Sequence, residues 1–155
     1  MTDNRICHGT VCAERTINVP VAQAYQAFAD ANEREAWAAP SQTASFHYEQ
    51  TDFRVGGLEV ARCGAKSDPR FRVETRYLDI VPTRRIVSIE TIQEVDRLLA
   101  ANITTIEFVP NGPGTRTKVI AQVTSLVGQA MVDNTEAGHA GSLANMARYL
   151  EGRNG

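Results

Sequence analysis

An excess of charge of either sign is missing from this 155-residue chain: sixteen Lys and Arg stand against eighteen Asp and Glu, a net charge of −2. That balance excludes a nucleic-acid binder that works through bulk positive charge. No window approaches the run of about eighteen apolar residues that a membrane-spanning helix needs. The N-terminus, Met1 to Cys7, carries no apolar stretch of the secretory kind. Cysteine is sparse and odd in number, with Cys7, Cys12 and Cys63. A disulfide framework ordinarily shows an even count, so free thiols in a cytoplasmic protein are expected. Cys7, His8 and Cys12 invite a metal reading. Their spacing is not C-x-x-C, however, and no second cluster follows. On a strand the two thiols would point to opposite faces. Structural thiols are expected there, with no metal and no cofactor. The phosphate-binding patterns G-x-x-x-x-G-K-S/T and G-x-G-x-x-G are missing too, as are G-x-S-x-G and H-E-x-x-H. Nucleotide, serine-hydrolase and zincin chemistry therefore lack support.

The composition itself is ordinary for a globular protein, with 43% hydrophobic and 22% charged residues. A chain of this length buries roughly 68–70% of its unfolded surface, enough for a core without staples. Residues 1–155 read as a single domain, with no linker, repeat or low-complexity segment.

The pattern begins with a strand over 6–19, where Val11, Ala13, Arg15, Ile17 and Val19 share one face, apolar except for Arg15. Pro20 stops it and suits the first turn of a helix. A helical period follows over 21–29, and Asp30 and Asn32 break it and start a second short helix over about 31–38, carrying Trp37 and ending before Pro40. From Ala44 the period changes to two. Phe46 and Tyr48, with Phe53 as a candidate end, mark one strand, and Gly56-Gly57 makes a tight turn into the next. There Leu58, Val60 and Arg62 alternate with Glu59, Ala61 and Cys63. Gly64 to Pro69 reads as a polar turn. Phe71, Val73, Thr75 and Tyr77 share a parity that switches at Leu78, which predicts a bulge near Tyr77. Ile86, Ser88, Glu90 and Ile92 form one row of the next strand. A β-branched strand over 103–109, a turn at Asn111 to Gly114 and a strand lined by Thr117, Val119, Ala121 and Val123 follow. The last third reads as helix, with Met131, Thr135, His139, Leu143, Met146 and Leu150 on one face. Gly138 and Gly141 within it suggest close packing or a bend.

Strands joined by short turns pair antiparallel, and their apolar face needs a cover. Only the C-terminal helix is long enough to supply one. The expectation is an α+β protein with a curved antiparallel sheet of about six to seven strands around a long C-terminal helix and two short helices after the first strand. Because the sheet twists and the helix is straight, space between them is expected, and such space suits a small molecule.

Several strings in this order resemble a known family. They are Arg15 to Pro20 (RTINVP) with Tyr25 and Phe28 after it; Trp37; Arg54-Val-Gly-Gly57; Tyr77 to Pro82 (YLDIVP) followed by Arg85; Gly114-Thr-Arg116; and Gly138 through Glu151. Together, over about 140 residues, they resemble the helix-grip fold of the START-like (SRPBCC) superfamily, in the branch named after the activator of heat-shock-protein-90 ATPase. The resemblance implies a fold and a cavity and hardly any chemistry. Many relatives carry Trp at the position of His139 and an aromatic at Ser88 or Glu90. The resemblance thus implies a roomier and more polar cavity here.

His139 is the leading candidate, as a group that could hold a ligand oxygen or move a proton near neutral pH. Glu90 is a carboxylate in an apolar row, with His139, Arg62 or Arg76 as possible partners, and a Glu–His pair could act as general acid and base. The alternative is an exposed strand carboxylate. Arg62 could hold an anionic or carbonyl group, or else snorkel at the surface. Trp37, Phe28, Tyr48, Phe71 and Tyr77 are candidates for an aromatic lining, and Met131, Met146 and Ser88 complete the wall. Cys63 has no base in a sequence-defined relation to it.

The leading expectation is a protein that binds a small apolar or aromatic molecule, with or without a cofactor-free reaction. The alternative is an interaction module that regulates a chaperone ATPase. A homodimer without catalytic role is a third reading. No nucleic-acid or membrane partner is expected.

Overall fold

The computed structural model describes residues 3–39 and 41–153. Strand β1 (Cys7–Ile17) is followed by helices α1 (Val21–Ala29) and α2 (Ala31–Ala38). Six further strands come next: β2 (Ala44–Gln50), β3 (Leu58–Ala65), β4 (Asp68–Val81), β5 (Arg85–Glu94), β6 (Arg97–Asn111) and β7 (Gly114–Ser125). Helix α3 (Gln129–Arg153) follows the last strand. The strands form one antiparallel sheet in the order β1-β7-β6-β5-β4-β3-β2. This is the expected helix-grip α+β arrangement.

Local sequence accounts for most boundaries. Asp30 separates α1 from α2, and its Oδ1 accepts from the backbone N–H of Asn32 at 2.8 Å and Glu33 at 3.3 Å, as a helix N-cap does. Pro40, expected to stop α2, lies outside the described residues; α2 ends at Ala38. The register of β4 against β5 slips between Tyr77 and Asp79, so Leu78 is the extra residue of the expected bulge. Gly56 has φ +82°, the left-handed backbone its turn requires, and a Cβ on Gly57 would collide with the Asp52 carbonyl oxygen. Several boundaries differ from expectation: β1 spans Cys7–Ile17 and not 6–19, β2 ends at Gln50, short of Phe53, and β6 runs over Arg97–Asn111, well beyond 103–109. The turn between β3 and β4 is confined to Lys66 and Ser67, because β4 already begins at Asp68. Helix α3 runs one residue past Gly152.

The main core is built from Ile17, Val19, Phe28, Phe108, Leu143, Met146 and Leu150 with their neighbours. Helix α3 rests on β1, β7, α1 and α2. Its approach to β1 is close: a Cβ on Gly9 would lie 2.6 Å from Val132 Cγ1. A twisted sheet diverges from a straight helix. Seated at the β1–β7 end, α3 therefore stands away from β3, β4 and β5.

Candidate functional site

Two adjoining cavities occupy that divergence. One, of about 150 Å³, lies among α1, α2 and the sheet, between Phe28, Trp37, Tyr77 and Ser88. The other, of about 350 Å³, lies between the outer strands and the first half of α3, among Phe71, Ile92, Asn102 and Met131. Ala38, Phe46, Glu90, His139 and Ser142 border both. The inward row of β5, namely Ile86, Ser88, Glu90 and Ile92, forms a common floor, as the alternation of that strand requires.

Most of the expected wall residues meet here. Trp37, Phe28, Tyr77, Tyr48 and Ser88 line the smaller cavity, Met131 and Phe71 the larger one, and His139 and Glu90 both. Trp37 is buried and its indole N–H donates to the Ala27 carbonyl at 3.1 Å. Its ring meets Phe28 edge-on at a centroid distance of 4.7 Å.

Two expected residues lie elsewhere. Arg62 faces the other side of the sheet, where its Nε donates to Glu49 Oε1 at 3.2 Å. The inward row of β3 is Glu59, Ala61 and Cys63, because these residues pair with Thr75, Val73 and Phe71 of β4. Met146 is fully buried in the main core and borders neither cavity. Its position in α3 is one at which the helix has already closed on the sheet. Gly138 also departs from expectation. Nothing lies within 4 Å of where its Cβ would stand, and it borders the larger cavity, so it leaves room and does not mark close packing.

Glu90 points inward. Its Oε1 accepts from the Thr104 hydroxyl at 2.7 Å; none of the partners considered for it, His139, Arg62 or Arg76, bonds to it. Arg76 instead donates to the Gly56 carbonyl. His139 is half-buried and makes no side-chain hydrogen bond among the described residues. Burial, helped by the Glu90 carboxylate, pushes the Cys63 thiol up to about 11, which removes the thiolate needed of a nucleophile.

The charged centre of the site has almost no signature in the sequence. Arg34 of α2 and Glu59 of β3 are joined in the interior, Nη2 to Oε1 at 2.6 Å, with side chains 8% and 1% exposed. Arg34 Nη1 also donates to the Phe28 carbonyl at 2.6 Å and to the Tyr77 hydroxyl at 3.2 Å. The Tyr77 hydroxyl donates to Glu59 Oε1, and the Asp52 N–H donates to Oε2 at 3.1 Å. The Tyr48 ring covers the guanidinium, 4.6 Å from its Cζ. Burial opposes the charge of Arg34, but Tyr48, Tyr77 and Glu59 outweigh it and raise its pKa. Burial likewise drives the Tyr77 and Tyr48 phenols well above their ordinary range, against the pull of Arg34. The only sequence cue is a carboxylate two residues after the Gly-Gly turn; its partner lies 25 positions upstream.

The family profile described as "Activator of Hsp90 ATPase homolog 1-like protein" matches residues 18–151. The chain belongs to this family. Solved structures agree with the family fold over nearly the whole length. The Mll3558 protein from Rhizobium loti is 32% identical, with a TM-score of 0.82, covering 94% of this chain and 99% of the other. A protein from Rhizobium leguminosarum is 27% identical, with a TM-score of 0.81 over 95% and 97% of the two chains. Protein CV1439 from Chromobacterium violaceum is 26% identical, with a TM-score of 0.78 over 92% and 96%. No curated protein matches the chain significantly. Among the described residues no helix is long and apolar enough to cross a membrane.

Proposed function

We propose that the protein binds a small organic molecule, apolar or aromatic in its body, between the sheet and α3. One observation carries this reading: two adjoining cavities of about 150 and 350 Å³ have largely apolar walls and share a small polar set, Glu90, His139 and Ser142. Apolar volume with few placed polar groups is the usual form of a small-molecule site. Ser142 is already committed, its hydroxyl donating to the Ala38 carbonyl at 2.8 Å. Glu90 and His139 therefore remain for the guest. Family membership supports the reading, since the superfamily commonly holds hydrophobic ligands. Proton transfer between Glu90 and His139 is not part of it, because no hydrogen bond joins them.

The test is native mass spectrometry of protein purified from its own host. A stoichiometric adduct that is lost on denaturation is the expected result. Trp37, the single tryptophan, lies in the smaller cavity wall and reports rebinding through its fluorescence. An adduct that survives when the cavity is filled by His139→Trp would place the molecule elsewhere and sink the proposal.

A further inference from the structure

Glu90 and Asn102 stand opposite each other in the register of β5 and β6, and both border the larger cavity. Asn102 is 4% exposed, and its Oδ1 is buried without a hydrogen-bond partner. Glu90 receives one hydrogen bond, from Thr104; its other oxygen has none among the described residues. The floor thus presents two neighbouring acceptors with unused capacity. A buried acceptor left unmatched is costly, and a carboxylate in an apolar cavity needs a cation or several donors.

Among the described residues no cation pairs with Glu90. The ionisable side chains bordering the cavities are Arg34, Tyr48, Cys63, Tyr77, Glu90 and His139. Arg34 is bound to Glu59 and forms no ion pair with Glu90. His139 forms none with it either, and no lysine borders either cavity. Glu90 makes no ion pair among the described residues, and its carboxylate helps burial to raise the Cys63 thiol. Phe46 and Phe71 flank the same space, and aromatic faces favour a cation.

From this geometry we infer that the cavity selects a cationic guest: a small aromatic or alkyl amine whose ammonium group donates to Glu90 and Asn102 while its apolar body lies among Phe46, Phe71, Ile92 and Met131. The inference rests on the cavity being a binding site and adds the chemical class of the guest. An anion is the competing class, through Arg34. Glu59 already neutralises that guanidinium and Tyr48 covers it.

The experiment is isothermal titration of the full chain with three probes of nearly equal size: 2-phenylethylamine, 2-phenylethanol and phenylacetate. The amine is expected to bind about tenfold or more tightly than the alcohol, the scale of one charge-assisted hydrogen bond, with phenylacetate weakest. In Glu90→Gln, which retains an acceptor for Thr104, the amine should lose its advantage and the amine and alcohol affinities should converge. Asn102→Ala, a second variant at the floor, should also reduce the amine preference. Alcohol or phenylacetate binding as tightly as the amine would overturn the cationic guest and leave the cavity reading standing. Retention of the full amine preference in Glu90→Gln would overturn it in the same way. Failure of all three probes up to their solubility limits would count against the cavity itself, and the inference would fall with it.

Discussion

Arg34 Nη2 lies 2.6 Å from Glu59 Oε1, and neither side chain has appreciable contact with water. The pair ties α2 to β3 across the end of the smaller cavity, and the Phe28 carbonyl, the Tyr77 hydroxyl and the Asp52 N–H add further hydrogen bonds to it. Breaking such a pair leaves an unmatched interior charge, which costs about 3–5 kcal/mol. Arg34→Met and Glu59→Leu should each destabilise on that scale in urea denaturation. The double variant should lose clearly less than the sum of the two. Additive losses would show that the two charges do not depend on each other.

The glycines separate packing from space. Gly138→Ala adds a methyl group where nothing lies within 4 Å and reduces the freedom of the unfolded chain. It should raise stability by about 0.4–1 kcal/mol. Gly9→Ala drives a Cβ against Val132 and should lower stability by about 1–3 kcal/mol. Opposite shifts in melting temperature are the expected outcome. A loss at Gly138 would mean that the helix is closely packed there after all.

Cys63 offers a reactivity test. With a folded pKa near 11 against 9.0 for the free group, its alkylation at pH 8 should be roughly a hundredfold slower in the folded protein than in the unfolded chain. Glu90→Gln should accelerate it, because burial and the Glu90 charge act together. Peptide mapping after iodoacetamide treatment measures both rates.

The same shift links stability to pH. The folded thiol pKa exceeds the unfolded value, so the protonated thiol's contribution is complete below pH 9 and is lost as pH rises toward 11. The stability difference between the protein and Cys63→Ala should therefore narrow across that interval. A constant difference from pH 8 to 11 would contradict it.

His139→Trp adds bulk at a position that borders both cavities. It should fill the junction of the two cavities and weaken a co-purifying guest by about tenfold or more. Unchanged affinity would show that the imidazole is no wall of the occupied space.

The grouping of Ile86, Ser88, Glu90 and Ile92 into one row of β5 is legible in the sequence, because parity is a property of adjacent residues; which row turns inward is not, since Val87 and Ile89 make the other row apolar too. Asp30 between the two short helices and the slip at Leu78 are legible as well. On β3 the pattern is ambiguous for a physical reason. Both rows mix apolar residues with one charge, so alternation alone does not say whether Arg62 or Glu59 turns inward.

Element order, the antiparallel sheet and the covering helix follow from periodicity and turn chemistry, which act over a few residues. Three features belong to the folded molecule alone: the seating of α3 at the β1–β7 end, the volume left over β3–β5, and the Arg34–Glu59 pair. Each is a sum over side chains far apart in the chain, and local pattern carries no record of which distant residue neutralises a charge or leaves a space unfilled.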